Sequence, residues 1–218
     1  MTKYLNQFKQ YPYALLLFVQ LASVLVYGFV TTSHVEHIIA NCVGLIVPLI
    51  AVWVVYRTPA VNWVGYGLAI ISVGLTIISI FVNPNALIFA HVFESLLYFY
   101  AAFSLTMKLF EDNVVTKDEL YAAAATFTLM VWGFALAYSV CQQIYPGSIL
   151  AAINPDKPRS MIELLFMSFS IQSSTGVGDV IPVSAPARAI GSIQIFAGVM
   201  YIAIIVSRLV GLAASQKK

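Results

Sequence analysis

The chain has 218 residues, of which 61% are hydrophobic and only 9% carry a charge. Soluble domains carry roughly 25% charged residues, so this composition excludes a water-soluble globule. The net charge of +2 gives no support to a nucleic-acid partner, and none is expected.

In chain order, the stretches 10–33, 38–56, 58–90, 120–155 and 189–207 contain no Asp, Glu, Lys or Arg. An apolar helix of about 20 residues crosses the hydrocarbon core. Asn83-Pro84-Asn85 divides the third stretch, because Asn and Pro punctuate helices. The pattern predicts six spans, at 12–32, 37–56, 62–82, 86–109, 118–145 and 186–212. A further apolar segment, 161–172, is too short to cross. The first span is too long for a signal peptide and lacks a small-residue cleavage site, so it reads as a retained anchor.

Within the third span, Gly65-Tyr66-Gly67 is expected to be a helix-packing site of small residues. Between the fourth and fifth spans, Thr116 and Glu119 form a capping box that starts the next helix at once. The linker 111–117 is therefore short, which predicts that the four-helix unit 1–110 packs beside the second unit of its own chain. Cys42 and Cys141 lie within spans and indicate neither a disulfide framework nor a zinc site.

An inside N-terminus puts Lys3, Lys9, Arg57, Lys108, Lys117, Arg208, Lys217 and Lys218 on the cytoplasmic side. Only Lys157, Arg159 and Arg188 then lie outside, as the positive-inside rule requires. The expected location is a multi-pass position in the plasma (cell inner) membrane, with both termini cytoplasmic.

Few ionisable residues fall at membrane depth. The fourth span holds one basic residue, Lys108, at its cytoplasmic end. A voltage-sensing helix carries several arginines, each charge moved being worth about 2.3 kcal/mol per 100 mV. Steep voltage gating is therefore not expected. His91 and Glu94 are three apart and share a helix face. They are read as a mutually satisfied pair between helices, with proton sensing as the sharper option because histidine titrates near neutral pH. Two such groups are too few to hold a metal. Ser33-His34-Val35-Glu36-His37 offers at most three ligands and reads as a solvated outer loop.

The short segment 161–172 follows Ser160, which with Glu163 forms a second capping box. A half-helix entering from outside aims its negative C-terminal end at the bilayer centre, where a cation is stabilised. Next comes Ser174-Thr175-Gly176-Val177-Gly178-Asp179. Irregular backbone at this depth is tolerated only where it lines a cavity or is buried in protein. Alternating glycines accept positive φ at little cost and so let successive carbonyls point one way. Stacked carbonyl rings can replace the hydration shell of a monovalent cation. One chain supplies one strand of such a lining, so a ring requires several copies.

Residues 174–179 resemble the selectivity filter of tetrameric potassium channels, usually Thr-Val-Gly-Tyr-Gly-Asp. Asp179-Val-Ile-Pro182 resembles the family's exit from the filter, Arg188 falls where many members carry an arginine, and Gly198 occupies the position of its gating-hinge glycine. The resemblance implies an all-α membrane protein of six transmembrane helices plus a re-entrant pore helix and filter loop, assembling as a homotetramer in the lipid bilayer. The pore domain would be 118–218, with pore helix 161–172, filter 174–179 and inner helix 186–212. It further implies that Ser174, Thr175, Gly176 and Val177 coordinate K+, that Gly178 supplies backbone freedom, and that Asp179 shapes the outer mouth.

The departures from that pattern are specific. Ser174 replaces a threonine, Thr175 an aliphatic residue, and Val177 an aromatic that often bonds the pore helix. Phe166 and Met167 stand where many relatives have a tryptophan cuff, and Ser170 where some have a glutamate. Polar bracing is thus absent on both sides, and the filter is expected to be held by packing alone. The function implied is passive, potassium-selective conduction without enzyme activity, and with no cofactor beyond bound K+ ions. The alternatives are a weakly selective Na/K channel or a non-conducting accessory subunit. A transporter would show paired repeats and two broken helices, and one re-entrant segment is present.

Overall fold

The computed structural model describes residues 12–29, 47–53, 62–111 and 116–215. The loop 33–37, Cys42, most of the second span and linker residues 112–115 lie outside these residues. Five described helices are long and apolar enough to cross a membrane. They are α1 (Pro12–Phe29), α3 (Asn62–Phe81), α4 (Ala86–Glu111), α5 (Lys117–Ile144) and α7 (Ala185–Ser215). A helical stretch at 47–53 is α2. The short α6 (Met161–Gln172) completes the set.

The helix boundaries follow local chemistry. Pro12 opens α1, where its missing amide costs nothing. Between α3 and α4, the Asn83 side chain accepts from the Asn85 amide at 3.0 Å, and the Asn83 carbonyl accepts from Ala86 at 3.0 Å. Thr116 caps α5 in a full capping box: the Glu119 amide donates to its hydroxyl at 3.2 Å. The Glu119 carboxylate in turn accepts from the Thr116 amide at 2.9 Å. At α6 the Glu163 carboxylate accepts from both the Ser160 amide at 2.7 Å and its hydroxyl at 2.8 Å.

Helix α5 is the centre of the molecule. Of its most apolar window 61% is buried, against 22% for α7. Trp132, Tyr138, Leu129 and Leu136 of α5 are among the largest fully buried side chains, with Leu164, Leu165 and Met167 of α6. Helix α4 packs along α5, and α3 packs on α4. Helix α1 also lies on α5 of its own chain: Thr128 Oγ1 donates to Gln20 Oε1 at 2.5 Å, and the Tyr27 and Trp132 rings are 6.0 Å apart.

The fold is helical, as expected, with one short addition: β1 (Ile149–Ala151) pairs antiparallel with β2 (Val180–Pro182). The pairs are Ile149 with Pro182, Leu150 with Ile181 and Ala151 with Val180. Gly67, read as a close helix-packing site, has nothing among the described residues within 4 Å of an added Cβ. Gly65, the other glycine of that motif, is buried.

Candidate functional site

The quoted loop begins where α6 ends. Ser173 closes the helix with φ −80° and ψ −3°, its amide donating to Phe169 O. The sign of φ then alternates: Ser174 lies at 58°, Gly176 at 65° and Gly178 at 82°. For an L-residue the left-handed region costs roughly 1–2 kcal/mol. Glycine avoids most of that cost, and Ser174 bears it.

Three consecutive loop amides turn back on one residue of α6. Thr175 N donates to Ser170 O at 3.0 Å and Gly176 N to the same oxygen at 3.3 Å. Val177 N donates to Ser170 Oγ at 2.8 Å. A trans peptide is planar, with its N–H and C=O on opposite sides. The carbonyls of Ser174, Thr175 and Gly176 therefore point away from α6. Residues 173–179 are exposed in the single chain. The loop thus presents a column of carbonyl oxygens on its free side.

Ser170 overturns the expectation that packing alone holds the loop. Its backbone carbonyl and hydroxyl together anchor three amides, and Ser173 Oγ with Thr175 Oγ1 adds a 2.7 Å bond at the loop's start. The tryptophan-cuff positions are split: Met167 is buried, while Phe166 is 44% exposed. One hydrogen bond to a buried acceptor contributes about 1 kcal/mol, and its loss changes an opening equilibrium about fivefold. Ser170→Ala is accordingly expected to raise amide hydrogen exchange at Val177 about fivefold, with exchange in α5 unchanged. Equal exchange in the two proteins would remove Ser170 from this role.

The Asp179 end of the loop is held by the ribbon. Ala152 N donates to Asp179 O at 3.0 Å and Val183 N to Ser148 O at 2.9 Å. Asp179 itself is exposed. Beyond β2, Ser184 Oγ accepts from Ala187 N at 3.3 Å and starts α7, and Arg188 Nε donates to Pro182 O at 3.4 Å.

Gly198 sits at the other end of the loop. A Cβ there would lie 2.8 Å from Gln172 Cγ and 3.0 Å from its carbonyl carbon, and closer still to the carbonyl oxygen. Glycine is therefore required for α7 to touch the last turn of α6. This steric role is separate from the hinge role implied by resemblance.

His91 and Glu94 are not the mutually satisfied pair that their spacing implied. His91 Nδ1 is 3.1 Å from Ser139 Oγ on α5. Glu94 is 6% exposed and accepts instead from Tyr98 OH at 3.2 Å. His91 reaches across to α5, whereas Glu94 is met by Tyr98 one turn further along its own helix α4.

Two features went unread in the sequence. Arg159, counted only as an outside charge, is 2% exposed at its side chain and lies 3.0 Å from Glu163. Gln194 is fully buried and bonded to α5 and α6. The available signal was a lone Gln in a charge-free span, since polar side chains in membrane helices bond across helices. At the opposite end, Arg208 lies 5.2 Å over the Phe110 ring and 3.9 Å from Glu119. That contact joins the ends of α4 and α7 to the start of α5.

The sequence model of a family described as ion channel matches residues 86–214, which is more than half of the chain and runs from α4 through α7. The chain belongs to this ion-channel family. No curated protein matches the sequence, and no solved structure does.

Proposed function

We propose that the protein is a potassium-selective channel in which four copies surround a common axis and conduct passively. The observation that carries this reading is the set of three amides turned onto Ser170, which directs the Ser174, Thr175 and Gly176 carbonyls to the exposed side. Four such columns would form stacked oxygen rings able to replace the hydration shell of K+. The Val177 carbonyl and the Ser174 hydroxyl extend the column. Asp179 would shape the outer mouth, and the C-terminal end of α6 would favour a cation below the rings.

Strict selectivity rather than a weak Na/K preference is favoured by the Ser170 anchor. Carbonyls held by their own peptide planes resist closing around the smaller ion. Fourth-span chemistry argues against steep voltage dependence, because Lys108 pairs locally with Glu111 at 3.1 Å. The orientation proposed puts Lys108, Lys117 and Arg208 on the cytoplasmic side.

The test is a bi-ionic reversal potential with purified protein in planar bilayers, potassium on one side and sodium on the other. A large shift toward the potassium equilibrium potential is expected. Robust current reversing near zero would discard selectivity and leave a non-selective cation pore.

A further inference from the structure

Resting on that reading, we infer that Gln194 is a positioning residue for selectivity, the point through which the inner helix fixes the pore helix beneath the filter. Gln194 is fully buried, although its neighbours Ile193, Ile195 and Phe196 are exposed. Its amide nitrogen donates to Ser168 O at 3.0 Å and Ser168 Oγ at 2.6 Å. It also approaches Gln172 Oε1 at 3.3 Å. Its amide oxygen accepts from Tyr138 OH of α5 at 2.9 Å. One side chain of α7 therefore joins both flanking helices.

The partners carry the connection onward. Ser168 Oγ donates to Val131 O at 2.8 Å, and Gln172 Nε2 donates to Phe127 O at 2.9 Å. Both acceptors are backbone oxygens of α5. Ser168 and Gln172 bracket Ser170, the residue onto which the loop amides fold. A shift of α6 by a fraction of a hydrogen-bond length would move Ser170 and rotate the carbonyl-bearing peptides. Four residues beyond Gln194, Gly198 makes the steric contact with Gln172. Helix α7 thus meets the last turn of α6 through one polar and one close-packed contact on the same face.

No charged side chain takes part, so the network is not an ion pair. In a low-dielectric interior, a fully bonded polar network specifies one arrangement, while an incomplete one leaves costly unmatched groups. Helices in lipid gain little from apolar contact with each other, and polar bonds between them set register. Gln194 supplies that register behind the filter, where a tryptophan cuff is absent.

The experiment compares the full-length protein with Gln194→Met, a change of similar volume that removes the amide. Assembly in mild detergent, amide exchange over 173–179 and the bi-ionic reversal potential are measured together. The variant is expected to assemble and pass current. Exchange at Thr175, Gly176 and Val177 should rise about tenfold, and the potassium-over-sodium permeability ratio should fall at least fivefold. Tyr138→Phe removes one bond of the network and should shift both readouts in the same direction, by less. Should Gln194→Met fail to assemble, Tyr138→Phe decides the matter alone. Ser168→Ala combined with Gln194→Met should be no worse than either alone, the non-additivity of one shared network. Ser192→Ala, on the same helix but bonded among the described residues to Arg188 O of its own helix, should change nothing. Unchanged exchange and selectivity in Gln194→Met would overturn the inference. A wild-type protein that conducts without selectivity would instead overturn the proposed function, and the exchange readout would still judge Gln194.

Discussion

Gly198→Ala is expected to prevent stable assembly of the pore unit. The added methyl would stand 2.8 Å from Gln172 Cγ and press on the Gln172 backbone carbonyl. A flexible side chain could turn away, but the carbonyl belongs to the last turn of α6 and leads directly into the loop 173–179. Overpacking a well-filled core typically costs about 1–3 kcal/mol. Here the obstacle is backbone, so the upper end, about 3 kcal/mol, is expected. The fraction of assembled protein in mild detergent measures this, with the melting temperature as a second readout. Gly211→Ala is the matched control. Among the described residues nothing lies within 4 Å of a Cβ at Gly211, and alanine in a helix is favoured over glycine by about 1 kcal/mol. A Gly198→Ala protein that assembles normally and differs only in open probability would refute the steric account and leave the hinge account standing.

Arg159→Ala is expected to lower the melting temperature by about 6–12 °C, the equivalent of about 3 kcal/mol in a chain of this size. The Arg159 guanidinium is enclosed by carbonyl oxygens. Nη1 donates to Ile153 O at 3.3 Å, Nη2 donates to Asn154 O at 2.5 Å and to Lys157 O, and Nε donates to Lys157 O at 3.1 Å. Its backbone is fixed too, since Arg159 N donates to Gln142 Oε1 at 2.8 Å and Gln142 Nε2 donates to Arg159 O at 2.9 Å. Removing the side chain takes these donors from the Ile153, Asn154 and Lys157 carbonyls, and hydrogen bonds to a charged group contribute about 1.5–3 kcal/mol.

Arg159→Lys should rescue little, because a point ammonium cannot match a planar fork of donors. Glu163→Gln should cost less, about 1 kcal/mol, because the amide oxygen can still accept from Arg159 Nη1 and the carboxylate it replaces is 35% exposed. Equal losses for Arg159→Ala and Glu163→Gln would show that the ion pair, and not the carbonyl cage, holds the segment. The consequence reaches the loop 174–179, since the caged segment 152–159 continues from β1, which pairs with β2 just beyond Asp179.

Much of the fold was legible because lipid imposes simple rules on a sequence. Charge-free stretches of helical length give the spans, Asn83-Pro84-Asn85 separates α3 from α4, and each capping box marks the start of a helix within a few residues. The segment 161–172 was recognisable as too short to cross, and its helix is Met161–Gln172. Alternating glycines in 174–179 announced an unusual backbone, and Gly176 and Gly178 do take positive φ. That Ser174 would share that conformation was not legible, because the hydroxyl side chain gives no signal for it.

What the sequence determined by itself is whatever depends on neighbours within one helical turn or on the length of an apolar run. These include the spans, the caps, the half-helix and the loop that follows it. Tertiary structure alone decided the long-range pairings. Tyr138 and Gln194 are 56 residues apart, Gln20 and Thr128 are 108 apart, and Ser168 and Gln194 are 26 apart. It also split His91 from Glu94, replaced packing by Ser170 as the loop's anchor, and turned Gly198 into a point of close approach. For the polar pairings between helices the physical reason is shared. A polar side chain in an apolar interior must find some partner, and its own helix dictates only the direction in which it looks. Which group stands there is decided by how the other helices pack.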